Sequence, residues 1–262
     1  MKDCHVYTSY TDKKYPEIAH YITKAKELGI DELTITDLYE IKEGAPLVPF
    51  AWYKLAYNRV KSEDIKLNLG FEMGLQPGIH EKIFKTANEK SLDYVVGSTN
   101  IIEGEEVSSP GFFMGKDEDE VYRKYFEYVL NNVNEFSDCF DVYAKLDQVI
   151  RYNGDRRLDY DRYAELLDAI LESLVKNNKG LEVSTQFCSD NDPWPMPYMR
   201  ILGRYRELGG NIITLGSGAT SVENLGKYYE YAYDLIESVG FDSIATYHKR
   251  KPDFDKIKSL RR

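Results

Sequence analysis

The residue that asks for chemistry is a lysine in "DVYAKLDQVIRYN", residues 141–153. Asp141, Val142 and Tyr143 read as a strand entering the core, and Leu146, Val149 and Ile150 continue the apolar pattern. Lys145 stands where that strand ends. Burial in an apolar pocket disfavours the charged form of a lysine. A neutral amine attacks a carbonyl carbon and forms a Schiff base, an electron sink for breaking the adjacent C–C bond. A nearby tyrosine, amide or acid can then move protons and hold a hydroxyl. The ends of the other strand-like runs supply such groups. Tyr7, Glu72 and Asn100 are the candidate catalytic partners of Lys145, and His5, Leu38, Gln186, Phe187, Cys188, Gly218 and Thr220 are the candidate pocket residues. An ionised Glu72 or Asp37 would instead keep Lys145 protonated, as a space-filling ion pair. Cys188 beside His5 or His248 would be a thiol nucleophile for esters. The histidines and carboxylates at strand ends are too few to hold a metal cluster.

These positions depend on a repeated alternation of strand and helix. Short β-rich runs lie at 4–9, 32–37, 66–73, 92–99, 140–146, 180–187 and 211–217, each followed by an amphipathic stretch. In "YAELLDAILESLV" the apolar residues recur at helical spacing. Seven βα units without a compositional break predict one domain over residues 1–262, an α/β fold with a parallel sheet closed into a distorted, TIM-like (β/α)7 barrel. A weaker run, "DSIATY" (242–247), is the candidate for an eighth unit. The loops "EGAP", "EGEEVSSPGF" and "CSDNDPWPMP" carry turn residues and follow strands. They therefore share the face at the strand C-termini, where parallel barrels place their sites. The acidic run "GKDEDEVYRK" reads as a solvated helix N-terminus.

Composition narrows the partners. The net charge of −10 disfavours nucleic acid and acidic membrane surfaces. No apolar run approaches the ~20 residues of a membrane span. "MKDCHVYTSY" has no signal-peptide core, and three widely spaced cysteines suit a reducing compartment, so a cytoplasmic location is expected. The partner expected for Lys145 is a small carbonyl compound, with no cofactor.

Several segments resemble the polymerase-and-histidinol-phosphatase (PHP) family, close to its histidinol-phosphatase branch. "DCHVYTSYTD" is similar to the family's D-C-H-x-H-T-x-x-S-D opening, "TITDLYE" to its T-D-H turn, and "GFEMGLQPG" to its G-x-E segment. "VVGSTNII", "YAKLDQVIRY", "RYRELGGNIITLGSGAT" and "YHKRKP" resemble later family segments in the same order. The resemblance spans essentially the whole chain. It implies a seven-stranded (β/α) barrel with a trinuclear metal site that hydrolyses phosphate monoesters. The implied ligand positions are 5, 7, 38, 72, 100, 145, 218 and 220. Only His5 and Glu72 keep the implied ligand; the others read Tyr7, Leu38, Asn100, Lys145, Gly218 and Thr220. One imidazole and one carboxylate do not assemble a shell for three divalent ions, even with Asp12 and Asp37 nearby.

The motif flanks are intact while the ligands are replaced. That pattern leads to the expectation of an engineered barrel, its metal site removed and rebuilt as a metal-free pocket for Schiff-base, retro-aldolase chemistry on Lys145. The alternatives are a non-catalytic small-molecule binder, designed or degenerate, a residual metal-dependent phosphoesterase on His5, Glu72, Asp12 and Asp37, and a Cys188 esterase.

Overall fold

A computed structural model describes residues 1–42, 47, 49–60, 64–154 and 158–261. The turn expected at "EGAP" lies outside the described residues. Seven parallel strands follow one another in chain order: β1 (Lys2–Val6), β2 (Glu32–Ile35), β3 (Lys66–Gly74), β4 (Tyr94–Ser98), β5 (Val142–Tyr143), β6 (Gly180–Ser184) and β7 (Ile213–Gly216). Apart from the outer ends of β1 and β3, their residues are buried, as a parallel sheet covered on both faces requires. The segment leaving β7 meets β1. The Gly218 N–H donates to the His5 carbonyl (2.8 Å) and the Tyr7 N–H to the Ala219 carbonyl (3.0 Å), so the barrel is nearly closed. The expected distorted (β/α)7 barrel is therefore observed.

The helices are α1 (Ile18–Glu27), α2 (Phe50–Val60), α3 (His80–Ala87), α4 (Glu118–Glu135), α5 (Gln148–Tyr152), α6 (Ala164–Lys176), α7 (Met199–Glu207), α8 (Tyr229–Ser238) and α9 (Ile257–Leu260). In α6 the apolar residues Leu167, Ile170, Leu171 and Leu174 are fully buried, at the i, i+3, i+4, i+7 spacing of one helix face. The acidic run does open α4. The Asp117 carboxylate accepts from the Glu120 N–H (3.2 Å), and Glu118, Asp119 and Glu120 fill the first turn.

The run read as a possible eighth unit is not a barrel strand. Ser243–His248 (β8) pairs antiparallel with Lys251–Lys256 (β9), through a turn in which Lys249 and Arg250 take positive φ. The turn is fastened to the residues that enter β4 and β5. The Lys249 N–H donates to Asp93 (3.0 Å), and Arg250 Nε donates to Asp141 (2.5 Å). Ala245 and Tyr247 pack with Cys4, Tyr94, Val96, Val142 and Ala144, sealing the barrel at the end away from the mouth. Arg250 is thus a strut at the N-terminal face.

Pairing of β1 with β2 shifts register between Asp3 and Val6. Such a bulge re-aims side chains. Consecutive residues of β1 both meet interior groups: Cys4 Sγ reaches the Ala245 carbonyl (3.7 Å), while the His5 ring lies between two buried glutamates. Gly216, on the neighbouring β7, leaves room for that ring's base. A Cβ there would fall 2.4 Å from His5 Cβ and 2.9 Å from the Glu182 carboxylate. Gly216→Ala should therefore lower unfolding stability by about 1–3 kcal/mol, read as a lower urea midpoint at unchanged slope. An unchanged midpoint would show that the packing around His5 is looser than described.

Candidate functional site

The site is built around one carboxylate. Glu72 lies on β3, the longest strand, with no exposure to solvent. Its Oε1 accepts from Lys145 Nζ (2.8 Å), Ser98 Oγ (2.5 Å) and Asn100 Nδ2 (3.3 Å). Its Oε2 meets His5 Nε2 (3.0 Å), Lys145 Nζ (3.1 Å) and the Tyr7 hydroxyl. The other ring nitrogen of His5, Nδ1, bonds both oxygens of Glu182 (3.0 and 2.9 Å), which rises from β6. Lys145 also donates to the Tyr7 oxygen (2.6 Å). The result is a row of carboxylate, imidazole, carboxylate and ammonium beneath the barrel mouth.

Lys145 reaches this row through an unusual backbone. Its φ is 57°, the left-handed region that a residue with a Cβ enters at a cost. The turn is held by its own carbonyl, which accepts from Tyr125 Oη (3.1 Å) and the Gln148 N–H (3.1 Å). β5 is only two residues long, so the chain leaves the sheet at Ala144 and swings Lys145 over the barrel axis.

Electrostatics follow the geometry. Burial opposes every charge here, and the partners outweigh it. Burial would raise the Glu72 carboxyl, but Lys145 and His5 hold it well below the usual carboxylate range. Burial would lower Lys145, but the Glu72 charge keeps the ammonium above its ordinary pKa. Burial would lower His5, yet Glu182 and Glu72 push it up to about 9. Two cations thus stand against two carboxylates, and the cluster is close to neutral. Tyr7 is pushed well above its ordinary value, first by burial and then by Glu72, so it stays a phenol.

Above the row opens a cavity of about 240 Å³, lined by Tyr7, Leu38, Asn100, Lys145, Gln186 and Thr220 among others. Six of the expected residues therefore share one pocket. His5 and Glu72 lie beneath it. Phe187, Cys188 and Gly218 line a smaller neighbouring cavity of about 180 Å³, which also takes in Gln186 and Thr220. Gly218 is not a cleared pocket wall. It has φ of 56°, and a Cβ there would meet Gln186 at 2.7 Å, so the turn itself calls for glycine. Cys188 has no histidine partner among its described contacts. Both His5 nitrogens are taken by glutamates, His248 pairs with Asp93 (3.0 Å), and burial pushes the thiol up to about 12. The Cys188 esterase reading is set aside.

The other lining residues were missed, Glu40, Lys42, Glu106, Gln148, Tyr15 and Tyr152 among them. Glu40 is nearly buried and accepts from Gln76 Nε2 (2.8 Å) and Asn100 Nδ2 (3.0 Å). Glu182 was missed too, although a lone glutamate inside the apolar strand "GLEVS" was a legible signal.

The three-metal centre that the family implies does not fit these residues. Glu72 is saturated by protein donors, and an ammonium lies where cations would sit. Asp37 is consumed by the β1 turn: it accepts from the Thr8 N–H (2.6 Å), Thr8 Oγ1 (2.6 Å), the Thr11 N–H (3.0 Å) and Thr11 Oγ1 (2.7 Å). Asp12 is exposed and caps the Lys14 N–H (2.9 Å). Among the described residues no group of three metal-ligating side chains is spaced for an ion at the mouth.

The raised His5 pKa makes stability depend on pH. A group with a folded pKa near 9 and an unfolded value near 6.5 stabilises fully below about 6.5. That contribution is lost as pH rises through about 9. Urea unfolding should show a loss of roughly 1–3 kcal/mol between pH 6.5 and 9 that His5→Asn lacks. The same slope in His5→Asn would assign the effect to another group.

Comparison with known proteins places this geometry. A family model described as the PHP domain matches residues 3–186. The chain is 26% identical to a histidinol-phosphatase of Lactococcus lactis, over 97% of each chain. It is 27% identical to a protein of Thermotoga maritima named "Probable histidinol-phosphatase", over 95% of this chain and 97% of that one. The crystal structure of the Lactococcus lactis histidinol phosphate phosphatase, complexed with zinc, L-histidinol and phosphate, superposes with a TM-score of 0.86 at 25% identity. That match covers 96% of this chain and 98% of the other. A Listeria monocytogenes structure at 18% identity shares the fold, with a TM-score of 0.76. These matches correct the expectation of an engineered retro-aldolase. Natural phosphatases align almost end to end with the chain, and nothing in it points to design. The chemistry fails independently, because Lys145 is an ion-paired ammonium and so is no nucleophile for a carbonyl. With its barrel, its motif order and most of its length matched, the chain belongs to the PHP domain family.

Proposed function

We propose that the chain handles small phosphate monoesters of the histidinol-phosphatase type, with the Lys145 ammonium as the cation that faces the ester. The single observation that carries this reading is the position of Lys145. An ammonium, ion-paired to Glu72 beneath it, lines the mouth cavity of a phosphatase-branch barrel, at a position where the family resemblance implies a metal ligand. The rest of the lining suits an oxyanion. Lys42, Gln186 and Thr220 offer N–H or O–H donors, and charge-assisted bonds to phosphate are the strong ones. The acidic lining is muted. Glu106 is tied to Lys42 (2.5 Å), and the Glu40 carboxylate, raised by burial, accepts from the Gln76 and Asn100 amides, which act in the opposite direction.

An ammonium can offset phosphate charge, but it does not generate hydroxide as a metal does. Glu72, held well below the usual range by its cations, is a poor base. These residues support recognition of the ester more than the phosphatase activity in the relatives' names. A second reading, a residual metal-dependent phosphoesterase, is favoured by two findings: relatives covering nearly the whole chain are named histidinol-phosphatase or probable histidinol-phosphatase, and the Lactococcus lactis structure is a complex with zinc.

One experiment separates the two. Chelator-stripped protein would be titrated calorimetrically with L-histidinol phosphate, and metal content and phosphate release would be measured with and without added Mn²⁺ or Zn²⁺. Binding without metal is expected, weakened at least about tenfold in Lys145→Met, with no metal-stimulated release. Metal-dependent phosphate release abolished by Glu72→Gln would establish the second reading. Absence of both binding and release would overturn both.

A further inference from the structure

Away from the mouth, three side chains of metal-ligating type converge. We propose that His80, Asp138 and Cys139 form a mononuclear site for a zinc-like ion on the outside of the barrel. His80 opens α3, and Asp138 and Cys139 lie in the turn that follows α4. Their ligating atoms all fall within 4.8 Å of one another. His80 Nε2 stands 2.8 Å from Asp138 Oδ1, and Cys139 Sγ stands 3.3 Å from the same oxygen. Zinc holds nitrogen, oxygen and sulfur at about 2.0–2.3 Å, which sets tetrahedral donor separations of roughly 3.4–3.8 Å. The two hydrogen-bonded spacings are shorter than those values and every separation is within 4.8 Å, so small side-chain rotations that open those two contacts would seat an ion.

The surroundings favour a built site over a chance cluster. The His80 ring is stacked on Phe84 (5.6 Å between centroids) and tilted against Phe136 (5.5 Å), which fixes its plane. Cys139 is buried, whereas His80 and Asp138 keep an exposed side. That leaves one open position for water, as in sites with three protein ligands. One sulfur, one nitrogen and one oxygen select Zn²⁺ or Co²⁺ over Mg²⁺ and Ca²⁺. Without metal, the Cys139 thiol donates to Asp138. On binding, the S–H proton leaves to solvent, a metal–sulfur bond forms, and thiolate and carboxylate together balance the divalent charge.

Cobalt titration of the full chain tests this. The expected result is a near-ultraviolet thiolate-to-cobalt charge-transfer band that saturates at one ion per chain and is displaced by Zn²⁺. Cys139→Ser should abolish the band, and His80→Ala should weaken binding more than about tenfold. His80 is on the surface, so its variant serves if the buried Cys139→Ser chain fails to fold. No band in the wild type, or one that survives both substitutions, would overturn the proposal. No cysteine lines the mouth cavity, so this readout is independent of the reading given to the mouth.

Discussion

A buried carboxylate must be compensated, and the barrel interior is arranged around the compensation of Glu72. Leaving an ionised carboxylate unpaired in a low-dielectric core costs several kcal/mol. Glu72 meets that demand with two cations, His5 and Lys145, and with three neutral donors, Tyr7, Ser98 and Asn100. His5 is in turn balanced by Glu182. His5 and Tyr7 come from β1 and its end, Ser98 and Asn100 from β4 and its end, Lys145 from just beyond β5 and Glu182 from β6, so with Glu72 on β3 the network ties the mouth ends of five strands together. Its net stabilisation over an apolar core is not large by nature, since desolvation offsets most of the attraction. What it fixes is which groups face the cavity and in which protonation state.

That constraint explains features that look unrelated. Lys145 takes a left-handed backbone at the turn from which its ammonium reaches Glu72. Gly216 lacks a side chain because His5 and Glu182 fill the space. Asp37 serves the turn after β1 instead of the cavity. At the opposite end the β8–β9 hairpin seals the barrel, and Arg250 fastens it to Asp141. The floor is thereby packed shut, and the cavity opens at the C-terminal face, where the strand ends deliver their side chains.

Much of the fold was legible because parallel, doubly covered strands write themselves as continuous apolar runs separated by amphipathic helices. The antiparallel hairpin was not, because "DSIATY" has the composition of a barrel strand and its partner, "KPDFDK", is exposed and polar. Within the site, residues at strand ends could be named, but their pairing could not. The same Lys145 serves amine chemistry if isolated and electrostatics if beside Glu72. A separation of 2.8 Å, invisible in the sequence, decides between them. Glu182 and Glu40 were passed over because each stands beside residues that drew the reading, Gln186 and Phe187 after β6 and Leu38 in "TITDLYE". The inference of design failed because intact motif flanks around replaced ligands are equally the mark of a natural barrel whose backbone stayed under packing constraint.

The central claim is that the Lys145–Glu72 pair stands in place of the family's metal centre. Crystals grown with Zn²⁺ and Mn²⁺, with anomalous diffraction recorded at each absorption edge, test it most directly. The account predicts Lys145 Nζ within hydrogen-bond distance of both Glu72 oxygens and no anomalous peak at the barrel mouth. An anomalous peak bonded to Glu72 and His5, with Lys145 turned away, would contradict it.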